Sequence, residues 1–137
     1  MTRTTIPCGL AAAAVAIGGY IHLVLYRRSY HAIAHVGVMF ALDVVLAAGI
    51  ATALLLRRDI LSIAAALLHT IGALTGFVLS RTVGLSGFKE TGLQPSPEAA
   101  SALITETVAL GFLVWAALVS QLSPSLRPIR SAGPPPV

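Results

Sequence analysis

The chain has 137 residues, 56% of them hydrophobic and only 10% charged, with a formal net charge of +4. Soluble globular domains carry roughly a quarter charged residues, so this composition excludes that class and indicates an integral membrane chain. The single cysteine, Cys8, excludes an intrachain disulfide and a thiolate metal cluster. The arginines stand at separate junctions between apolar runs and not on one basic face, which argues for headgroup anchoring and against nucleic acid as a partner.

The first apolar run predicts a membrane helix over about 7–26, with Pro7 in the first turn, where a missing N–H costs nothing. A cleaved signal peptide fits less well, because the run continues for about 20 residues to Tyr26, Arg27 and Arg28 without a small-residue cleavage site. Ser29 is a candidate N-cap for a second helix over 30–56, antiparallel to the first. Its length exceeds what a crossing needs, so Tyr30 and His31 are expected at headgroup level. Arg57, Arg58 and Asp59 make the next turn, with Asp59 as N-cap of a third helix over 60–80.

The stretch 81–97 reads as a structured interfacial loop, broken by Gly84, Gly87, Gly92, Pro95 and Pro97 and weighted by Leu85, Phe88 and Leu93. Ser96, Pro97 and Glu98 mark the start of a fourth helix over 98–121. The Pro-rich segment 123–137 is expected to be disordered or partly polyproline II. The result is an all-α fold, an integral membrane four-helix bundle over 1–122 with the lipid bilayer as its main partner. Both termini share a face, and the count of basic residues places that face on the cytoplasmic side.

Five ionisable residues lie within these spans: His22, His35, Asp43, His69 and Glu106. Such groups cost several kcal/mol in hydrocarbon unless they face a partner or water, which makes them functional candidates. Counted at ~1.5 Å per residue from the helix ends, His22, His35 and Glu106 form a shallow layer near the first and third loops. Asp43 and His69 form a deeper pair, read as a contact that sets the register of helices two and three, with a proton relay as the alternative. His69 shares a face with Gly72, Ala73 and Gly76, and the Gly72-x-x-x-Gly76 spacing is one that lets a neighbouring backbone come close.

His31 and His35, one turn apart on a continuous helix, could chelate a divalent metal with Glu106 or His22 as third ligand. The plainer reading has His31 in interfacial water and His35 hydrogen-bonded within the protein. Haem held between His22 and His35, or His22 and His69, is a further option. An apolar groove for a lipid or quinone needs no motif and stays open. Phosphate-binding, nucleophile and dinucleotide motifs are absent, so no catalytic activity of its own is expected.

The segments Gly19-Tyr20-Ile21-His22-Leu23 and Val78-Leu79-Ser80-Arg81-Thr82-Val83-Gly84-Leu85-Ser86-Gly87-Phe88-Lys89-Glu90, with the Glu106 helix, resemble uncharacterised small four-helix membrane proteins of actinobacteria. The resemblance implies this fold and a bacterial plasma membrane, and attaches no activity. Two roles follow from the residues. One is an accessory or structural subunit that packs against a partner membrane protein or a second copy. The alternative is binding or conduction of a proton, metal ion or haem through the buried His/Glu layer.

Overall fold

A computed structural model describes residues 3–122 of the chain; the expectation for 123–137 lies outside the described residues. The fold is all-α. Among the described residues four helices follow in order: α1 (Thr5–Arg28), α2 (Val36–Leu56), α3 (Ile60–Arg81) and α4 (Glu98–Gln121), with a 3-10 turn at Tyr30–Ala32 between the first two. At 21 to 24 residues each, they are about 32 to 36 Å long, enough to cross the ~30 Å hydrocarbon core. The molecule is therefore a multi-pass membrane protein.

Among the four helices α1 is the most buried, and its sequence explains why. Ala11, Ala12, Ala14, Val15, Gly18 and Gly19 are all buried, and side chains this small let α2 and α4 close in on both sides. The tightest approach is at Gly19, where a Cβ would stand 2.6 Å from that of Ala47. With no aqueous driving force inside a bilayer, such close van der Waals packing is what holds helices together. Leu54, Ile63 and Leu113 complete this core toward the end of the bundle that carries the α2–α3 turn. There Asp59 caps α3, its carboxylate accepting from Ser62 N (2.8 Å) and Ser62 Oγ (2.6 Å). These two hydrogen bonds hold the Asp59 carboxyl below its ordinary titration range.

At the opposite end the bundle is looser. The contacts between α2 and α3 are the sparsest of any sequential helix pair, and a smaller cluster of Leu25, Tyr30 and Val36, backed by Phe40 and Phe88, replaces the alanine core. This end corrects the expectation of a helix over 30–56. After the 3-10 turn the chain is extended at Ile33 (φ −89°, ψ 115°) and left-handed at His35 (φ 63°), and α2 begins only at Val36. The cause is tertiary: Tyr30 is buried against Phe40 and Phe88, at ring-centroid distances of 4.7 and 5.7 Å. That anchor draws the chain inward before α2 can start.

The loop 82–97 is organised by Arg81, which is a structural centre and not a headgroup anchor. Its guanidinium donates to Gly92 O (2.8 Å), Gln94 O (2.8 Å) and Ser80 Oγ (2.6 Å), pairs with Glu90 (2.9 Å) and lies over the Phe77 ring at 3.6 Å. Within the loop, Leu85 and Phe88 exchange both backbone hydrogen bonds around Ser86 and Gly87, whose positive φ angles (49° and 82°) mark a tight primed turn.

Candidate functional site

Each of the four helices contributes one ionisable side chain to a single network. His22 of α1 donates through Nδ1 to Asp43 Oδ2 of α2 at 2.5 Å. Its other nitrogen, Nε2, lies 3.7 Å from Glu106 Oε1 of α4. His69 of α3 presents Nε2 to Asp43 Oδ1 at 3.6 Å. All four side chains are largely buried, with 10 to 18% of each exposed.

This arrangement replaces the division into a shallow layer and a deep pair. His22 is six residues from the end of α1, Asp43 seven from the start of α2 and Glu106 eight from the start of α4, so all three lie about 9 to 12 Å below one face. Asp43 appeared deeper only because α2 was taken to begin at Tyr30. His69, twelve residues from the end of α3, is lower, at about 18 Å, and bridges the difference with its side chain.

His35 does not join this layer. It is exposed at the left-handed corner that opens α2. His31 belongs to the 3-10 turn, with Nδ1 2.9 Å from Tyr26 O and its ring edge-on to Tyr26. The two histidines therefore do not share a helix face, and the proposed His31, His35 and Glu106 metal set is not assembled. Among the described residues no group of three or more His, Cys, Asp and Glu is arranged to hold a metal ion. Haem between His22 and His35 fails for the same reason. Between His22 and His69 stands the Asp43 carboxylate, where the iron would have to be.

Two spaces adjoin the network. A cavity of about 10 Å³, the lower limit for one water, is walled by Gly18, His69, Thr70 and Glu106. Glu106 Oε2 is buried there without a hydrogen-bond partner. On the other side, between α2 and α3, a cavity of about 610 Å³ runs from His22, Asp43 and His69 to Phe77, Arg81 and Glu90 at the loop face. Its α3 wall includes Gly72 and Gly76. Neither has any atom within 4 Å of where a Cβ would stand, so this glycine pair opens space and does not seat a neighbouring helix.

The loop end of the cavity holds residues that did not stand out in the sequence. The Tyr30 hydroxyl donates to Glu90, which also pairs with Arg81. Burial first, then the hydrogen bond to Glu90, push the Tyr30 phenol well above its ordinary range. Arg28 pairs with Glu98 at the head of α4, tying α1 to α4 at the same face. A Glu90 in the middle of an exposed-looking loop carries no local signal of these contacts. No family model, curated protein or solved structure matches the chain.

Proposed function

We propose that this membrane protein holds and exchanges a proton at the His22, Asp43, His69 and Glu106 network. The observation that carries the reading is that all four helices each commit one ionisable side chain to the same buried cluster. With every group deprotonated the cluster carries two negative charges from its carboxylates. Neutrality, which a buried site strongly favours, needs two further protons.

Those two protons have more than one home. They fit on both imidazoles, on one imidazole and Glu106, or on one imidazole and Asp43; one proton moved across the His22–Glu106 gap converts the first arrangement to the second, and one moved across the His69–Asp43 gap converts it to the third. Each gap exceeds the usual ~2.9 Å N–H···O length by about 0.7 to 0.8 Å, closable by a small shift or one bridging water. A lock between helices needs only the His22–Asp43 hydrogen bond. The second imidazole and the second carboxylate, with its unpartnered oxygen, are what a site that passes a proton uses.

The small-residue face of α1, the best candidate for docking an accessory partner, is already covered by α2 and α4. That favours ligand or proton handling over a purely structural subunit. A bacterial plasma membrane with cytoplasmic termini, and kinship with the small actinobacterial proteins, belong to the same proposal.

Infrared titration of the reconstituted protein tests it. A carboxylic-acid C=O band that changes over roughly pH 4 to 9 and disappears in Glu106→Gln supports the exchange. A spectrum with no carboxyl change over that range, in a protein that stays folded, would leave the network a structural fastener.

A further inference from the structure

We infer that the cavity between α2 and α3 binds a neutral, lipid-soluble ring compound with a carbonyl or hydroxyl oxygen, of the quinone and quinol class, with its oxygen at His69. The inference rests on the proton-exchanging reading above and names the molecule that would meet the network.

Size comes first. The cavity's volume of about 610 Å³ lies within the ~300–1,000 Å³ typical of small-molecule sites. At the ~30 Å³ each water takes in the liquid, it accommodates on the order of twenty non-hydrogen atoms, a substituted ring plus the first units of a tail.

Access and polarity narrow the class. Met39, Leu46 and Leu68 line the cavity and are themselves exposed, so it opens sideways between α2 and α3 to the hydrocarbon. The occupant therefore arrives from the bilayer and is mainly apolar. An anionic headgroup finds no unengaged guanidinium or ammonium: among the described residues Arg81 is the only Lys or Arg on the cavity wall, and Glu90, Gly92, Gln94 and Ser80 already engage its guanidinium. That disfavours a fatty acid or a phospholipid head and leaves a neutral polar group.

Shape and hydrogen bonding select the rest. Phe40 lies on the α2 wall one turn from Asp43, while Gly72 and Gly76 leave gaps between the side chains of the α3 wall. An aromatic side chain on one wall and glycine gaps on the other suit a flat ring. On the α3 wall one turn from Gly72, His69, nine-tenths buried, makes no hydrogen bond at its 3.6 Å separation from Asp43. Its imidazole can donate to a carbonyl oxygen or accept from a hydroxyl, matching either form of such a ring. A ligand oxygen at this imidazole would supply the hydrogen bond that the 3.6 Å separation from Asp43 does not.

The test uses the full chain in nanodiscs of synthetic phosphatidylcholine, titrated calorimetrically with a decyl-substituted dimethoxy-methyl-benzoquinone. One equivalent is expected to bind saturably. Gly72→Leu and Gly76→Leu, whose side chains enter open space, should weaken binding at least about tenfold while leaving the four-residue network in place. His69→Leu should weaken it comparably, and His69→Gln, which keeps a donor and an acceptor, should stay within about threefold of the native chain.

Decylbenzene is the control that needs no variant. If it binds as tightly as the quinone, the cavity is an acyl-chain groove and the inference is overturned. Absence of saturable quinone binding overturns it too. Either result with the infrared titration intact leaves proton exchange standing, whereas a silent carboxyl band with quinone bound would remove the exchange reading and keep the ligand.

Discussion

Asp43 faces imidazoles from two other helices, and its replacement is the most discriminating perturbation of the network. In Asp43→Asn the amide oxygen still accepts from His22 Nδ1, so the hydrogen bond survives while the charge is lost. We expect a stability loss of about 1 kcal/mol. Asp43→Leu removes both, and because hydrogen bonds to charged groups contribute about 1.5 to 3 kcal/mol, the loss should be about 2 to 3 kcal/mol. The side chains are 15% and 18% exposed, so little of this is screened by solvent. A double-mutant cycle of Asp43→Leu with His22→Leu, read by steric-trap unfolding in bicelles, should give a coupling of about 1.5 kcal/mol. Ordinary interhelical polar pairs in a bilayer average ~0.6 kcal/mol, so a coupling at or below ~0.5 would show that the short His22–Asp43 contact is not a charged pair and would refute the reasoning.

Gly19→Ala forces a Cβ against Ala47 and should destabilise the bundle by about 1 to 3 kcal/mol despite alanine's better helix propensity, with Ala47→Gly restoring most of the loss in a thermal unfolding assay. Arg81→Met removes the guanidinium's hydrogen bonds to Gly92 and Gln94 and its ion pair with Glu90, leaving the loop 82–97 held to α3 mainly by backbone hydrogen bonds such as Glu90 N to Ser80 O. Limited proteolysis should therefore cut between Arg81 and Glu98 at least about tenfold faster while the helices stay intact by circular dichroism. Because the Tyr30 phenol titrates above its ordinary range, its protonated form is the one the fold favours: its contribution is complete below about pH 10 and is lost as pH rises toward the higher folded value. Tyr30→Phe should therefore cost about 1 kcal/mol at neutral pH and flatten the decline of stability above pH 10, measured by unfolding across that range.

Much of the architecture was legible because bilayer crossing imposes simple demands. A run of about 20 apolar residues has few options in hydrocarbon, and Arg57, Arg58 and Asp59 mark a turn without ambiguity. The start of α2 was not legible. Between Tyr30 and Val36 no glycine or proline interrupts the chain, and what delays the helix is the burial of Tyr30 against Phe40 and Phe88, contacts that bring α2 and the 82–97 loop together. That one boundary misplaced Asp43 by six residues, about 9 Å, which is enough to separate it from His22 in depth.

The members of the site were legible as rare ionisable groups in apolar surroundings, but their pairing depends on helix rotation, which periodicity in an almost uniformly apolar helix does not reveal. His35 shows the same limit from the other side: a histidine inside an apolar run that the chain turns out to the surface. Gly72 and Gly76 show a different one. Small residues at that spacing permit close approach of a neighbouring helix and equally permit a void, and here α2 stays away.

The central claim is that the four residues share their protons as one unit. Nitrogen-15 NMR of histidine-labelled protein in lipid bilayers tests it most directly, following the ring nitrogens of His22 and His69 through a pH titration in the native chain and in Glu106→Gln. The account predicts that neutralising Glu106 changes the titration of both imidazoles, including His69, which reaches Glu106 only through the network and the small cavity they share. Identical histidine titrations in the two proteins would contradict it.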